Sequence, residues 1–438
     1  MGYRVSIWSA LYLPHTGGVE NFTLHISQVL AARGHDVQIV TLRIDDSPEQ
    51  EILSNGVRIW RLPAKPLMGG RLPIANKNAR YRRLLGEVER FEPQHVLVNA
   101  RFYGHSLDGL AFARRCGVIP VLLDHGSAHL TVGNAMADKV IARYEHAVTN
   151  RAKRTGAAFY GISQNSVEWL QHFGIDALGV VPNAIDAPAF RALSSRRDFR
   201  TELGIAPDDF LVAYSGRLAP EKGPDRLLDA LALLDGGYAC EESGDVGTEG
   251  ELVVVPVDSS NGCSASGMRI VAVLAGDGAM RPQLESKACK LNSSDGRAFA
   301  YLPGNLSPAD LSALLQQADL FCLPTRSEGF CTSLLEASAC AVPSAIPDVG
   351  GAWELLGMRE SSDDRGVDIN AECGFIMPDR EVDTVASMIA AAASIEPGAL
   401  RAIGDRARIR VESCSSWNAS ADALERAWAT ADARAFGV

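Results

Sequence analysis

Two carboxylates in the second half of the chain, Glu328 and Glu336, bracket a short polar stretch that has the composition of a ligand-binding loop. The apolar run at residues 319–323 predicts a buried strand before this stretch, and helical spacing predicts a helix after it, starting near Ser333. In an open α/β sheet, ligands bind at the carboxyl ends of the strands. We therefore expect Glu328 in a binding loop and Glu336 about one turn into the helix. The amides of Thr332 and Ser333 would be unpaired donors suited to a phosphate.

A structural interpretation of the same residues stays open at this point. Ser333 and Glu336 have the spacing of a capping box, in which Glu336 only returns a hydrogen bond to the backbone of Ser333. Glu328 alone has the character of an ordinary exposed loop acid. The other motifs of the chain decide between the two interpretations.

A second polar loop follows the predicted strand at residues 210–215 and holds Arg217 and Lys222 between Gly216 and Gly223. Arginine offers a planar fork for phosphate oxygens, and lysine a mobile point charge, so the pair suits a diphosphate. The alternative is a solvated basic loop. The loop with Arg217 and Lys222 lies at the ligand-binding edge of the predicted sheet, and this position favours the interpretation as a diphosphate site.

The loop between the first predicted strand and the first predicted helix contains Gly17 and Gly18, followed by Glu20. Two glycines let the backbone approach a ligand closely, and the helix N-terminus favours an anion. The spacing matches neither a P-loop nor the dinucleotide fingerprint, so a tight turn is an equal alternative.

All nine histidines lie at or before His172, so a histidine that takes part in the chemistry must come from the first half of the chain. His125 and His129, just past a predicted strand, are the best candidates, although a lone histidine is more often structural. Asn183 and Asp186 close the first half, and residues of these types there also suit a simple turn.

Strand-like and helix-like segments alternate along most of the chain, which predicts an α/β fold with parallel sheets covered on both faces. We predict a first domain at residues 1–190, completed by a terminal helix at about 416–438, and a second domain at 204–412. The hinge is predicted within 187–201. The predicted strands are 3–10, 36–42, 95–99, 119–124, 157–162 and 178–181 in the first domain, and 210–215, 269–275, 298–302, 319–323 and 342–346 in the second.

Two stretches interrupt the second domain. Residues 236–267 are rich in glycine, serine and glutamate, and hold one strand-like run at 251–257. Residues 360–372 are polar and acidic. Both are typical of mobile surface insertions, and we assign them no chemistry.

Composition indicates a globular protein of the cytoplasm. The chain has 438 residues and lacks an apolar stretch long enough for a membrane span or a signal peptide. Its nine cysteines form no C-x-x-C pair and no zinc-like spacing with histidines, which is consistent with reduced thiols. The net charge of −11 and the absence of a basic motif with interleaved aromatics exclude nucleic acid as a partner.

The charge is unevenly distributed, because residues 1–200 hold 24 basic and 17 acidic residues. A charge run is usually a solvated helix face, but an anionic membrane surface or an anionic acceptor is the functional alternative. The basic residues cluster at Arg71, Lys77, Arg80, Arg82 and Arg83, and again at Arg151, Lys153 and Arg154.

Taken together, these motifs resemble the family 4 retaining glycosyltransferases, which have the GT-B fold. The resemblance runs along nearly the whole chain, and jointly its motifs are specific. It rests on Gly17-Gly18-x-Glu20, Pro182-Asn183, Gly216-Arg217 with Lys222-Gly223, Gly276-Asp277-Gly278, Glu328-Gly329-Phe330 with Glu336, and Asp348-Val349-Gly350-Gly351 with Glu354.

The resemblance implies two Rossmann-like domains facing an inter-domain cleft, with the C-terminal helix crossing back to the N-terminal domain. The second domain would bind a nucleotide sugar, a UDP- or GDP-sugar, as substrate. Transfer would retain the anomeric configuration without a metal or another cofactor. The acceptor would be a glycan or a lipid-linked molecule of cell-surface polysaccharide or glycolipid synthesis, with peripheral association at the inner membrane face.

The resemblance also implies roles for individual residues. Arg217 and Lys222 would hold the diphosphate and, with Glu328 and His125, form the catalytic set. Glu336 would bind the ribose hydroxyls, the backbone at Gly329 and Phe330 the sugar hydroxyls, and the amides near Thr332 a phosphate. Gly18 would line the acceptor side. The full set of expected substrate-binding residues is Gly17, Gly18, Glu20, Asn183, Gly216, Gly329, Phe330, Cys331, Thr332, Ser333 and Glu336.

Three alternatives compete with a transferase. A nucleotide-sugar epimerase of the same fold would turn over the donor without an acceptor. A phosphorylase would need a lysine for pyridoxal phosphate, for which the sequence shows no motif. A nucleotide-sugar-binding scaffold that has lost catalysis would not require Arg217, Lys222, Glu328 and Glu336 together. One departure from the family pattern is Ala184, where glycine is common.

Overall fold

The predicted alternation of strands and helices is present in two separate units of the computed structural model. Unit 1 comprises Met1–Ala184 and Trp417–Val438, and unit 2 comprises Ile185–Ser416. The structure describes residues 2–15, 17–67, 70, 72–129, 135–235, 238–241, 253–256, 268–294, 296–357 and 370–435.

Unit 1 contains eight strands and six helices among the described residues, numbered here along the chain. The strands are β1 Arg4–Trp8, β2 Asp36–Arg43, β3 Gln50–Ile52, β4 Arg58–Lys65, β5 Ile74–Ala75, β6 His95–Asn99, β7 Val121–Asp124 and β8 Ala158–Gly161. The helices are α1 Gly18–Ala32, α2 Ala79–Glu89, α3 Gly104–Arg115, α4 Ala135–Lys153, α5 Gln164–Gln171 and α15 Trp417–Ala435.

The sheet of unit 1 has the order β3-β4-β2-β1-β6-β7-β8. Its central strands are parallel, and the short strands β3 and β5 pair with β4 in the antiparallel sense. Strand β6 is buried along its whole length, because helices cover both faces of a parallel sheet.

Helix α15 is part of unit 1, as the predicted crossing of the C-terminal helix requires. Its Trp428 is buried and stacks on His95 at the start of β6, with ring centroids 4.8 Å apart. Arg33, just after α1, pairs with Asp422 at 2.7 Å. Packing and an ion pair therefore attach this helix to residues from the start of the chain.

Unit 2 contains nine strands and nine helices among the described residues. The strands are β9 Phe210–Ser215, β10 Tyr238–Glu241, β11 Val253–Pro256, β12 Ile270–Ala275, β13 Ala298–Gly304, β14 Leu320–Cys322, β15 Ser344–Pro347, β16 Asn370–Ala371 and β17 Gly374–Met377. The helices are α6 Ala187–Ala192, α7 Phe199–Glu202, α8 Pro224–Asp235, α9 Arg281–Asn292, α10 Pro308–Gln317, α11 Thr332–Ala339, α12 Ala352–Leu356, α13 Val382–Ser394 and α14 Pro397–Cys414.

The main sheet of unit 2 has the order β13-β12-β9-β14-β15-β17-β16 and is parallel except for β16. The chain runs from β9 outward to β12 and β13, and then returns to place β14 on the other side of β9. The strand order therefore reverses between β9 and β14. Ligands bind at such a switch point in open α/β sheets.

Two local predictions were wrong. Residues 178–181 form no strand but a single bridge between Gly161 and Val180, because Gly179 at φ 153° breaks the extended run. The predicted hinge at 187–201 contains helices α6 and α7 and lies in unit 2. The carboxylates of Asp186 and Asp198 cap these two helices, which are too short to show a clear apolar period in the sequence.

The predicted insertion at 236–267 is described only at its two strands, β10 and β11, which pair with each other in the antiparallel sense. The strand-like run predicted at 251–257 contains β11. The rest of this insertion, and most of the polar stretch at 360–372, lies outside the described residues. Within the part of the chain that is described, no helix has the length and apolar content needed to cross a membrane.

Candidate active site

The carboxyl ends of the central strands of unit 2 bring the predicted motifs of the second half together. The loop with Arg217 and Lys222 follows β9, and the loop with Glu328 follows β14. Two glycine motifs of the family resemblance also lie here: Gly276 and Gly278 follow β12, and Gly350 and Gly351 follow β15. Because neighbouring parallel strands all end at one edge, these loops meet at the switch point.

The centre of this edge is an ion pair between Lys222 and Glu328. Lys222 Nζ lies 2.5 Å from Glu328 Oε1 and donates to it. Glu328 is only 8% exposed, and the Lys222 side chain is 19% exposed. Removing either partner would leave a nearly buried charge without its counter-ion, which is strongly unfavourable. The pair therefore fixes an ammonium group at the strand ends, where an anionic ligand would benefit from it.

Glycines let the backbone pack closely around this pair. Gly223 has φ 67°, and a Cβ added there would lie 2.1 Å from the Pro324 carbonyl oxygen. Gly350 has φ 52°, and a Cβ added there would lie 2.3 Å from the Glu328 Cβ. Side chains larger than hydrogen do not fit at these positions without movement of the loops.

Arg217 is positioned by two contacts and remains largely in solvent. The buried Tyr214 donates its hydroxyl to the Arg217 carbonyl oxygen at 3.0 Å. The side chain is 63% exposed, and its guanidinium donates to Glu221 at 3.0 Å. An exposed guanidinium on a fixed backbone can offer its planar set of donors to a phosphate.

Gly216 contacts the next loop along the sheet. Its amide donates to the Ala275 carbonyl at 3.1 Å, and a Cβ added to Gly276 would lie 1.9 Å from the Gly216 oxygen. A Cβ at Gly278 would lie 2.4 Å from the Leu218 oxygen. Gly276 and Gly278 thus allow close packing of the backbone against the loop that contains Gly216.

The helix after Glu328 starts one residue earlier than predicted, at Thr332, with Cys331 as its N-cap. No side chain caps this helix, so the capping box considered for Ser333 and Glu336 does not form. The first-turn amides of Thr332 and Ser333 have no intrahelical acceptor, as at any helix N-terminus. They remain suited to an anion.

Glu336 is partly buried in helix α11, and burial raises its pKa to about 7. A substantial share of these carboxyl groups would therefore carry a proton at neutral pH. A ligand hydroxyl that donates to the carboxylate would favour the charged form. Glu336 is therefore suited to a ligand that supplies a hydrogen-bond donor.

Two of the predicted substrate-binding residues turn their side chains into the protein. Phe330 and Cys331 are both nearly inaccessible to solvent, and burial raises the pKa of the Cys331 thiol. The Cys331 amide donates to the Gly350 carbonyl at 3.2 Å. For Phe330, a ligand contact would therefore have to come from its backbone.

In unit 1, the loop after β1 places Gly17, Gly18 and Glu20 at the start of helix α1. Glu20 is buried and folds back, so that a Cβ added to Gly17 would lie 2.4 Å from its Oε2. Burial raises the pKa of Glu20, although its own amide and His15 oppose the shift. No described atom lies within 4 Å of a Cβ added to Gly18, so its missing side chain leaves space beside the helix N-terminus.

His125 lies just after β7 and is held in one tautomer. Asn99 donates its amide nitrogen to Thr23 at 2.8 Å, so its Oδ1 faces His125 Nε2 at 3.2 Å. The ring therefore donates from Nε2 and keeps its lone pair on Nδ1. Burial lowers the pKa of His125 to about 3, which keeps the ring neutral at physiological pH. As a neutral ring, His125 can accept a hydrogen bond at Nδ1 but cannot act as a general acid.

His129 and Asn183 have other partners. His129 Nδ1 lies 2.6 Å from the buried carboxylate of Glu145. Asn183 is buried and accepts from the Ala184 amide at 2.9 Å. Ala184 is not among the residues with positive φ, so this position does not require the glycine of the family pattern.

The sequence analysis missed the supporting residues Tyr214, Asn99 and Arg101. Arg101 is fully buried and pairs with Asp124, the last residue of β7, at 3.1 Å. It donates also to Thr149 of α4 at 3.0 Å. The sole sequence signal for these residues is their position at a strand end.

Two family models match successive parts of the chain. The model described as Glycosyltransferase Family 4 matches residues 16–187, and the one described as Glycosyl transferases group 1 matches residues 262–410. The chain belongs to glycosyltransferase family 4. As a member of this family, the protein is a glycosyltransferase.

Similar proteins extend over most of the chain. A D-inositol 3-phosphate glycosyltransferase of Segniliparus rotundus is 28% identical, covering 97% of this chain and 87% of the relative. A GDP-mannose-dependent alpha-mannosyltransferase of Mycolicibacterium smegmatis is 27% identical, covering 81% of this chain and 82% of the relative. Both relatives are named as enzymes that transfer a sugar.

Solved structures confirm the predicted GT-B fold. Sucrose-phosphate synthase from Thermosynechococcus elongatus has a TM-score of 0.66 at 17% identity, covering 99% of this chain and 100% of that chain. Anabaena HepE, solved with UDP and glucose, has a TM-score of 0.62 at 18% identity, covering 98% and 100%. At these identities the likeness concerns the fold, with its two Rossmann-like domains.

The close approach of Gly350 to Glu328 predicts a specific loss of stability. Gly350→Ala should lower the free energy of unfolding by more than Gly204→Ala, measured by urea denaturation. Both glycines have positive φ, where alanine costs roughly 1–2 kcal/mol, but a Cβ at Gly204 meets no atom within 4 Å. Equal losses in the two variants would show that the contact with Glu328 imposes no constraint.

The raised pKa of Glu336 predicts a pH-dependent stability. Between its ordinary value of 4.5 and about 7, the folded protein holds this proton while the unfolded chain releases it, so stability falls as pH rises. The melting temperature of Glu336→Gln, relative to wild type, should therefore increase by about 2 °C or more from pH 5 to pH 8. Asp405→Asn, at an exposed carboxylate of the same unit, should show a constant difference. A constant difference for Glu336→Gln as well would contradict the burial of its charge.

Proposed function

We propose that this protein is a retaining, metal-independent glycosyltransferase that moves a hexose from a UDP- or GDP-sugar to a glycan or lipid-linked acceptor. The observation that carries the proposal is the Lys222–Glu328 pair at the switch point of unit 2. The exposed side chain of Arg217 and the partly buried carboxyl group of Glu336 also support the proposal.

The charges suit a leaving nucleoside diphosphate. When the bond between the sugar C1 and the diphosphate oxygen breaks, its electron pair stays on the diphosphate. Lys222 and Arg217 stabilise the charge that develops there, and the amides at the start of α11 add two further donors. Because Glu328 already holds Lys222 in place, little reorganisation is needed during the reaction.

Retention requires the acceptor hydroxyl to approach C1 on the face that the diphosphate leaves. In the proposed step, the acceptor oxygen forms its bond to C1 and its proton passes to an oxygen of the departing diphosphate. Neutral His125 fits a role as hydrogen-bond acceptor for a sugar or acceptor hydroxyl, since Nδ1 keeps its lone pair. Glu336 would bind the two ribose hydroxyls of the donor.

The relatives narrow the donor and acceptor chemistry to be tested. One is named for GDP-mannose, several are named for inositol 3-phosphate, and HepE was solved with UDP and glucose. We therefore propose UDP- and GDP-hexoses as the first donors. Phosphorylated polyols and lipid-linked glycans are the first acceptors.

Association with an anionic membrane surface stays a prediction. Lys77 pairs with Asp108 at 2.5 Å, and Arg80 and Arg83 both pair with Glu49. Arg71 lies outside the described residues. These carboxylates offset part of the positive charge, so the surface is less basic than the sequence alone indicates.

The donor site is tested by thermal shift with UDP, GDP, ADP and dTDP. One nucleotide at about 100 times its dissociation constant should raise the melting temperature by roughly 5–10 °C. Glu336→Ala should weaken that shift because the ribose hydroxyls lose their acceptor. No shift with any nucleotide would contradict the proposed donor site. Conversion of the donor sugar without an acceptor would identify an epimerase.

Lys222 is tested by kinetics with the donor and acceptor found in this way. Lys222→Ala should lower kcat by about 10²–10³ with little change in the acceptor KM, because the charge it stabilises develops in the transition state. Lys287→Ala is the matched control, since Lys287 pairs with Asp229 at 2.6 Å in the same unit, between helices α9 and α8. Equal turnover in the wild type and Lys222→Ala would remove Lys222 from the proposed step.

A further inference from the structure

Three histidines from separate segments of unit 1 come together in a cluster that the proposed transfer does not use. His129 follows β7, His146 lies in α4, and His172 directly follows α5. One nitrogen from each ring lies within 4.8 Å of the other two. The ring centroids form a nearly regular triangle with sides of 5.1–5.5 Å. Within the described part of the chain, donors suited to a metal ion converge in this way at no other place.

Glu145 orients one ring of this triangle. His129 Nδ1 lies 2.6 Å from Glu145 Oε2, and the carboxylate is 1% exposed. If Nδ1 carries the proton and donates it to the carboxylate, the lone pair of the ring is on Nε2. A carboxylate that holds a histidine in this tautomer is the usual outer-shell partner of a metal-binding histidine.

The other two rings are accessible and can adjust. His146 is partly exposed, and His172 is exposed and stacks on Trp169 with ring centroids 4.8 Å apart. Tetrahedral coordination with zinc–nitrogen bonds of ~2.0–2.1 Å places the nitrogens about 3.4 Å apart. Small rotations of these two side chains would therefore close the triangle around an ion.

We propose that His129, His146 and His172 bind one divalent transition-metal ion, with Zn²⁺ as the preferred occupant. Imidazole nitrogen suits zinc, copper and nickel, and does not suit Mg²⁺ or Ca²⁺, which prefer oxygen ligands. Three protein ligands leave a fourth position of the tetrahedron for water or an anion.

The charge balance of the cluster is compatible with a cation. Arg101 Nη2 lies 3.9 Å from Glu145 Oε2 and opposes a second positive charge nearby. Two buried carboxylates, Glu145 and Asp124, offset this, and Arg101 is bound to Asp124 at 3.1 Å. The ion would replace the weak contacts among the three rings by three coordinate bonds.

The proposed ion would join three segments of unit 1. It would tie the segment after β7, which also carries His125, to helix α4 and to the end of α5. Its role would be to hold this segment in place, and it takes no part in the sugar transfer proposed for unit 2.

The test titrates the chelator-treated full-length protein with Co²⁺ and follows its visible absorption. One equivalent should bind with the d–d bands of a tetrahedral nitrogen and oxygen site, and Zn²⁺ should displace it. Zn²⁺, but not Mg²⁺, should also raise the melting temperature. Glu145→Gln should weaken binding roughly 10–100-fold, as loss of an outer-shell partner does. His172→Gln, which removes a proposed ligand at an exposed position, should weaken it more.

His25→Gln is the matched control, because His25 belongs to the same unit but stacks on Trp417, outside the cluster. It should bind Co²⁺ as the wild type does. The proposal is overturned if folded wild type takes up no stoichiometric Co²⁺, or if His172→Gln binds it equally well. A thiolate-to-cobalt charge-transfer band would equally overturn it, because the ion would then be on cysteine. None of these readouts needs a nucleotide or a sugar, so the outcome is independent of the proposed function.

Discussion

The candidate active site of unit 2 depends on one ion pair that is nearly withdrawn from water. Glu328 lies in the loop after β14 with little solvent contact, and the ammonium group of Lys222 offsets its charge there. The loops around the pair must then pack without side chains. That is why glycines at 223 and 350 present bare backbone to Pro324 and to Glu328. The nearly buried ion pair thus constrains the packing of the loops that surround it.

The parallel sheet explains how residues so far apart in sequence reach this pair. Strands β9 and β14 are neighbours, although the chain visits β12 and β13 between them. Each strand therefore delivers the loop at its carboxyl end to the same edge, and the reversal of strand order leaves a crevice between β9 and β14. The loop after β9 contributes the cation of Lys222, and the loop after β14 contributes the carboxylate of Glu328. The fold itself brings the two charges together.

Much of unit 2 could be predicted because its signals are local. An apolar strand followed by a polar glycine loop and a helical period marks a strand end, and Lys222, Glu328 and Glu336 all follow this pattern. The capping box was wrong because a shift of one residue at the helix start, from Ser333 to Thr332, removes the geometry it needs. The burial that raises the pKa of Glu336 depends on the residues that pack around its side chain. The local sequence around Glu336 therefore does not indicate it.

The features that could not be predicted depend on long-range contacts. His146 lies in α4 and His172 directly follows α5, and neither has a neighbour in the sequence that marks it as a partner of His129. The same is true of Arg101, whose partners come from β7 and α4. Short helices such as α6 and α7 are capped by single carboxylates, and they are too short to show the apolar period that predicts longer helices.

Helix α15 has a consequence for the order in which the protein can be completed during synthesis. The ribosome makes most of unit 1 first, but the helix that covers His95 with Trp428 emerges only after the whole of unit 2. At ordinary translation rates this interval is roughly 10–50 s. Throughout it, the apolar surface that α15 later covers is open to water and to other proteins. We therefore expect the nascent chain to benefit from a chaperone that covers this surface of unit 1 until α15 has been synthesised.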